Sequence, residues 1–258
     1  MKNYQGFLID LDGTVYKGTE KIIEAIEFVK ELERKGLPPY LFLTNNSTKH
    51  PKDVSEKLVN MGVPSTAKHV FTTSMATATY IKEQKANAKV YAIGEEGLYM
   101  ALKECGLELV EEDADFVVMG LDRNINYEKL TKGGALNIRK GAKFVATNGD
   151  VALPTERGFL PGAGSLISVL SVTTGIQPTF IGKPESIIVD QALEVLGTKK
   201  EETLMVGDNY ATDILAGMNA GIDSVLVHTG VTTKKDLETI EAKPTYSIDS
   251  LAEWTFGE

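Results

Sequence analysis

An α/β fold built on parallel sheets with both faces covered is the class this sequence predicts. Short, continuously apolar runs recur along the chain at Gln5 to Leu11, Tyr40 to Leu43, Lys89 to Ile93, Phe116 to Gly120, Lys143 to Ala146, Thr203 to Val206 and Ser224 to Val227. Strands buried on both faces read this way, whereas half-buried strands alternate. Helical patterns separate most of the runs, as helical crossovers between parallel strands require. The 258 residues suffice for one large domain or two modest ones, with no fixed-period repeat and no low-complexity segment.

Taken in order, the first run ends at Asp12-Gly13, a turn-forming pair. Ile22, Ala25, Ile26, Val29 and Leu32 then recur at helical spacing and predict a helix from about Glu20 to Arg34, stopped by Gly36 and Pro38-Pro39. The run Tyr40 to Leu43 ends at Thr44-Asn45-Asn46-Ser47, and Pro51 opens a helix to about Met61. Further helices are expected at Glu95 to Glu104, with Cys105 beside it, and at Ser186 to Leu196. The segment Pro154 to Ser165, which includes Glu156 and Arg157, reads as a loop rich in turn formers.

Composition narrows the function. Hydrophobic residues make up 42% and charged residues 24%, the balance of an ordinary compact protein. A formal net charge of −9 opposes nonspecific binding to nucleic acid or to anionic membranes. No run approaches the roughly 20 apolar residues of a membrane span, and no signal peptide is legible at the start. A lone cysteine, Cys105, forms no internal disulfide, so a reducing cytoplasm is the expected setting. The three histidines are far apart, and His228 reads as structural. The same negative charge repels phosphorylated metabolites, so a phosphate site here needs local compensation from a metal, a lysine or helix N-termini.

Open α/β sheets bind ligands beyond the carboxyl ends of their strands. Four such places are polar. Asp10 and Asp12 are two residues apart, and in an extended segment their carboxylates would converge, which calls for a cation or a shared proton. Thr44, with the amides of Asn45 and Asn46, offers donors to phosphoryl oxygens. Lys183, between Gly182 and Pro184, is placed to meet an anion. Asp208 and Asp213 add hard oxygen donors of the kind Mg²⁺ prefers. Each taken singly has an ordinary alternative: an Asp-Gly turn, a helix cap, a solvated loop lysine. Those alternatives are independent of one another, and none accounts for all four in this order.

In that order the segments Asp10-Leu11-Asp12-Gly13-Thr14-Val15, Leu43-Thr44-Asn45-Asn46-Ser47, Lys183 and Gly207-Asp208-Asn209-Tyr210-Ala211-Thr212-Asp213-Ile214 resemble the four motifs of the haloacid dehalogenase (HAD) superfamily. The resemblance covers essentially the whole chain and is closest to the NagD-like group, subclass IIA. It implies a Rossmann-like core at 1–79 and 179–258, with an inserted α/β cap of the C2 type at 80–178. It also implies a phosphatase in which Asp10 is the nucleophile and Asp12 the acid and base, with Thr44, Asn45 and Lys183 on the phosphoryl group. Mg²⁺ would be held by Asp10, Asp208 and the Asp12 backbone carbonyl, with Asp213 and Asn209 behind them. Asp12 and Asp208 speak for phosphoryl transfer over dehalogenation, which uses neither a second carboxylate nor a metal.

The expected partner is a small phosphorylated metabolite: a sugar phosphate, a glycerol phosphate or a nucleotide. Cap residues near Thr147-Asn148-Gly149-Asp150, Glu156 and Arg157 are candidates to read its leaving group, with a structural turn and a solvated ion pair as the equal alternative. The resemblance admits a cap-to-cap homodimer and leaves assembly open. Two other classes share parts of this pattern. A signalling receiver domain uses Asp, Thr and Lys around Mg²⁺ but needs only about half this length. A catalytically silent binding protein on the same fold is the other.

Overall fold

The computed structural model describes residues 2–36, 39–155 and 157–256, so Pro38 and Glu156 lie outside the described residues. Two compact units share the chain: Met1–Thr44, Lys52–Phe71 and Lys183–Glu258 form one, and Asn45–Pro51 with Thr72–Gly182 forms the other.

The first unit is built on a six-stranded sheet in the order Tyr246–Ile248, Asp223–Val227, Thr203–Gly207, Gly6–Ile9, Tyr40–Thr44, Val70–Thr72. Gly6–Ile9 pairs in parallel on both sides, with Ile9 opposite Val206 and Phe42. Every residue of Gly6–Ile9, Tyr40–Thr44 and Thr203–Gly207 is buried, which is why these strands are apolar on both faces. One core cluster gathers Phe7, Ile9, Val29, Leu32, Phe42, Val206 and Val227. At its margin Tyr4, Phe7, Phe28, Tyr246 and Trp254 meet mostly edge to face, at centroid distances from 5.5 to 6.5 Å. Such ring pairs contribute roughly 0.5–1.5 kcal/mol each beyond their burial.

The second unit has its own five-stranded parallel sheet, in the order Thr179–Phe180, Lys143–Ala146, Phe116–Met119, Lys89–Ile93, Glu108–Leu109. Its helices include Thr73–Gln84, Glu96–Glu104 and Ala163–Thr174, and a π-helical stretch, Lys129–Ala135, runs into Leu136–Arg139. No helix among the described residues is long and apolar enough to cross a membrane.

Several expectations need correction. The helix expected from Glu20 starts at Ile23, because Glu20–Lys21 pairs antiparallel with Tyr16–Lys17. It ends at Gly36, whose N–H donates to the Glu33 carbonyl at 3.2 Å. The loop expected over Pro154 to Ser165 is an antiparallel hairpin, Ala152–Thr155 with Gly158–Pro161, followed by the helix from Ala163. The units divide at Phe71/Thr72 and Gly182/Lys183, where 79/80 and 178/179 were expected. The helix Thr73–Gln84 accounts for the first difference: Thr73 Oγ1 donates to the Thr147 carbonyl, and Ser74 Oγ donates to the Ser47 carbonyl at 2.9 Å.

Candidate active site

Strand order creates the site. From Gly6–Ile9 the chain builds Tyr40–Thr44 and Val70–Thr72 on one side, and later Thr203–Gly207 and its neighbours on the other. The crevice where the order reverses, beyond the carboxyl ends, is where such sheets bind ligands. Asp10 and Asp208 follow the two central strands just beyond the Ile9–Val206 pair and so arrive side by side. The turn that carries Asp213 is a short π-helical stretch, Tyr210–Ile214, capped by the Asn209 side chain, which accepts from the Ala211 N–H.

One carboxylate oxygen from each of Asp10, Asp208 and Asp213 lies within 4.8 Å of the others, and all three residues are buried. Lys183, 2% exposed, reaches into the group: its Nζ donates to Asp10 Oδ1 at 2.6 Å, to Asp213 Oδ1 at 2.7 Å and to the Leu43 carbonyl at 3.0 Å. The Lys183–Pro184 peptide is cis. Thr14 Oγ1 lies 3.3 Å from Asp10 Oδ2 and 3.2 Å from Asp208 Oδ1, so its single proton bridges the two carboxylates by donating to either. The Asn209 N–H donates to Asp213 Oδ2 at 3.1 Å, and the Val231 N–H to Asp208 Oδ2 at 2.7 Å. Gly13, at φ +97°, lets the turn after Asp12 pass so close that a Cβ there would lie 2.3 Å from Asp208 Oδ2.

The electrostatics follow from the count of charges. Three carboxylates face one ammonium, which leaves two negative charges unbalanced within a buried cluster of hard oxygen donors. Burial, then the charges of Asp10 and Asp213, push the Asp208 carboxyl up to about 8. Burial and Asp10 push Asp213 up to about 6, against the pull of Lys183. Burial works against the Lys183 ammonium, but Asp10 and Asp213 more than offset it and hold its pKa above the ordinary lysine range. A divalent cation is the ligand this donor set fits, since it balances the excess charge that would otherwise have to protonate.

The structure thus brings Asp10, Lys183, Asp208 and Asp213 together, with Asp213 inside the carboxylate cluster and Asn209 supporting it. Asp12 differs from Asp10 in burial. The strand stops at Ile9, and Asp12 is exposed where Asp10 is buried. Burial, Asp12 and Asp10 together push the Tyr16 phenol up, which places both carboxylates in its surroundings. The Lys57 ammonium lies over the Tyr16 ring at 3.6 Å from its centroid. Thr44 ends its strand buried. Asn45 falls in the second unit, where its Nδ2 and that of Asn148 both donate to Asp150 Oδ2, at 3.2 and 2.7 Å. Cys105 caps the helix Glu96–Glu104 half-buried, and His228 bonds to the Thr232 carbonyl and Ser247 Oγ at 3.0 and 2.8 Å.

Thr14, Lys57 and the loop at Thr229 to Thr232 are contacts that sequence reasoning does not assign. Thr14 lies within a motif and could be found there. A backbone amide such as that of Val231 leaves no trace in residue type.

Comparison with known proteins agrees with this geometry. Residues 7–108 match the profile of the family described as haloacid dehalogenase-like hydrolase, and residues 180–254 match a second, HAD-hydrolase-like profile. The chain is 62% identical over 254 residues to the 5'-nucleotidase YutF of Bacillus subtilis, covering 98% of each. It is 52% identical over 252 residues to an acid sugar phosphatase of Staphylococcus epidermidis, covering 97% of this chain and 96% of that one. Among solved structures, NagD from Escherichia coli K-12 superposes with a TM-score of 0.92 at 32% identity, covering 99% of this chain and 100% of that chain. A thermostable NPPase from Geobacillus stearothermophilus superposes with a TM-score of 0.93 at 54% identity, with the same coverage. Motif order, sheet topology, carboxylate cluster and whole-length likeness agree, and the chain belongs to the haloacid dehalogenase-like hydrolases, among the NagD-like phosphatases.

Proposed function

We propose that this phosphatase is Mg²⁺-dependent and hydrolyses small phosphate monoesters through a phosphorylated Asp10. The observation that carries the reading is the placement of Asp10. Its carboxylate stands at the end of a central strand at the switch point, bonded by Lys183 and adjoining Asp208 and Asp213. An oxygen of Asp10 attacks phosphorus as the bond to the leaving alcohol breaks, and Asp12 gives that alcohol its proton. Asp12, exposed and so able to exchange with water, then takes a proton from the water that attacks the acyl phosphate. Phosphate leaves and the Asp10 carboxylate is restored. Thr44 and the adjoining Asn45 donate to phosphoryl oxygens, and Lys183 sets a positive charge against nucleophile and phosphate alike. Asp10, Asp208 and the Asp12 carbonyl, with Asp213 behind, would hold Mg²⁺, which supplies positive charge against the developing negative charge on the phosphoryl group.

The second unit takes the part of the C2-type cap that reads the leaving group. Nucleoside 5'-monophosphates and sugar phosphates are the substrate classes suggested by the names of the relatives. The receiver and silent-protein readings have no observation in their favour. The test is steady release of p-nitrophenol from p-nitrophenyl phosphate: EDTA should stop it, Mg²⁺ should restore it, and Ca²⁺ should restore it poorly because its looser coordination misplaces the nucleophile. Full turnover after rigorous chelation would rule out the metal site.

A further inference from the structure

The loop after the strand Asp223–Val227 touches both acidic loops of the first unit within four consecutive residues. Thr229 Oγ1 donates to the Gly13 carbonyl at 2.7 Å, on the turn that follows Asp12. Gly230 lies against Asp208 so closely that a Cβ would sit 1.8 Å from Oδ2. The Val231 N–H donates to Asp208 Oδ2 at 2.7 Å, and the Thr232 N–H donates to the Asp208 carbonyl at 3.1 Å. Thr232 Oγ1 accepts from the Tyr210 N–H at 2.8 Å, where the Asp213 turn begins. His228 fixes the base of the loop through the Thr232 carbonyl and Ser247.

The chemistry of these contacts is selective. The strands before Asp10 and Asp208 are paired and Thr14 bridges their carboxylates, yet like charge still presses the two acidic loops apart, so a further tie between the loops steadies their spacing. Charged donors would do this at the cost of altering the site's charge. Amides and hydroxyls do it without adding charge. We propose that this loop is the clamp that holds the two acidic loops in register for the cation, and that Thr229 is its positioning residue, acting through the Gly13 carbonyl. The inference rests on the metal site proposed above and extends it to a residue that touches neither cation nor substrate. Partners behind metal ligands of this kind carry much of a site's affinity.

The test measures Mg²⁺ affinity by thermal-shift titration of chelated, substrate-free protein. Thr229→Val, nearly isosteric without the hydroxyl, should weaken Mg²⁺ binding about tenfold, in the range typical for loss of a partner behind a metal ligand. Thr229→Ser should restore wild-type affinity, and KM for p-nitrophenyl phosphate at saturating Mg²⁺ should stay unchanged in both. Thr229→Ala reports the same loss should the valine variant fail to fold. Asp208→Asn is the control. If it loses Mg²⁺ binding while Thr229→Val and Thr229→Ala bind like wild type, the clamp is overturned and the metal site stands. A loss that serine does not restore also overturns the clamp, since packing then explains it. Retention of Mg²⁺ by Asp208→Asn overturns both readings.

Discussion

Lys183 holds a single positive charge between Asp10 and Asp213, and this arrangement separates two roles that a mutation would otherwise confound. Asp10→Asn removes the proposed nucleophile while lowering the like-charge repulsion with Asp208 and Asp213. Turnover should fall by more than ~1000-fold, as expected for loss of a covalent nucleophile, while the melting temperature in EDTA stays level or rises. Lys183→Ala should also abolish turnover, but it leaves buried carboxylates without their counter-charge and should destabilise the fold by roughly 3–5 kcal/mol. Rate and melting temperature measured on both variants check the contrast. A strongly destabilised Asp10→Asn would mean the carboxylate is there for the fold.

At the scale of elements, the N-terminal arm is tied to the start of the strand Asp223–Val227. Lys2 Nζ and Tyr4 Oη both donate to Asp223 Oδ2 at 2.9 Å, and Thr245 Oγ1 donates to Oδ1 at 3.2 Å. Burial alone would raise the Asp223 carboxyl, but the bonds from Lys2 and Tyr4 hold it below the ordinary carboxylate range. Its stabilisation is therefore complete above about pH 4, the unfolded value, and is lost as pH falls through the folded one. Asp223→Asn should lower the melting temperature near neutrality by about 1–4 °C, because the network is half-exposed and worth about 0.5–1 kcal/mol. The difference should close once pH falls below the folded value, where the wild-type carboxyl is protonated as well. A gap that persists in acid would assign the effect to packing.

Elements also differ in how much of them the sequence makes legible. The helix Ser186–Leu196 is plain because its apolar spacing is uninterrupted and Gly197 follows it. The hairpin Ala152–Pro161 is not, because Pro154 and Pro161 argue against strands. They are tolerated there because, among the described residues, the two strands pair only with each other. Two-residue strands such as Glu108–Leu109 and Thr179–Phe180 are too short for any periodicity to register. Within the site, Asp10, Lys183, Asp208 and Asp213 are legible because their chemistry resides in side chains. The Val231 amide and the approach permitted by Gly230 reside in backbone geometry, which depends on where the strand Asp223–Val227 lies.

At the scale of the molecule, the net charge of −9 and the unbalanced carboxylates would make the proposed cation a structural ligand as well as a reagent. Binding to the folded state alone stabilises it by mass action, so Mg²⁺ at about 100 times its dissociation constant should add about 2.7 kcal/mol and raise the melting temperature by about 5–10 °C. Calorimetry of chelated protein with and without Mg²⁺ measures this, and an unshifted transition would count against the site.

The central position of Gly6–Ile9 in its sheet has a consequence for biosynthesis. This strand is made well before one of its two neighbours, Thr203–Gly207, and Thr14 meets Asp208 across 194 residues of chain. The inserted unit spans Thr72–Gly182 and can complete its own five-stranded sheet in the interval. Until the C-terminal strands emerge, the nascent chain carries an apolar strand with one open edge, the kind of surface that recruits chaperones or pairs wrongly with other chains. The clustered carboxylates therefore come together only after Asp213 has been made, by which time the unit spanning Thr72–Gly182 has been able to fold.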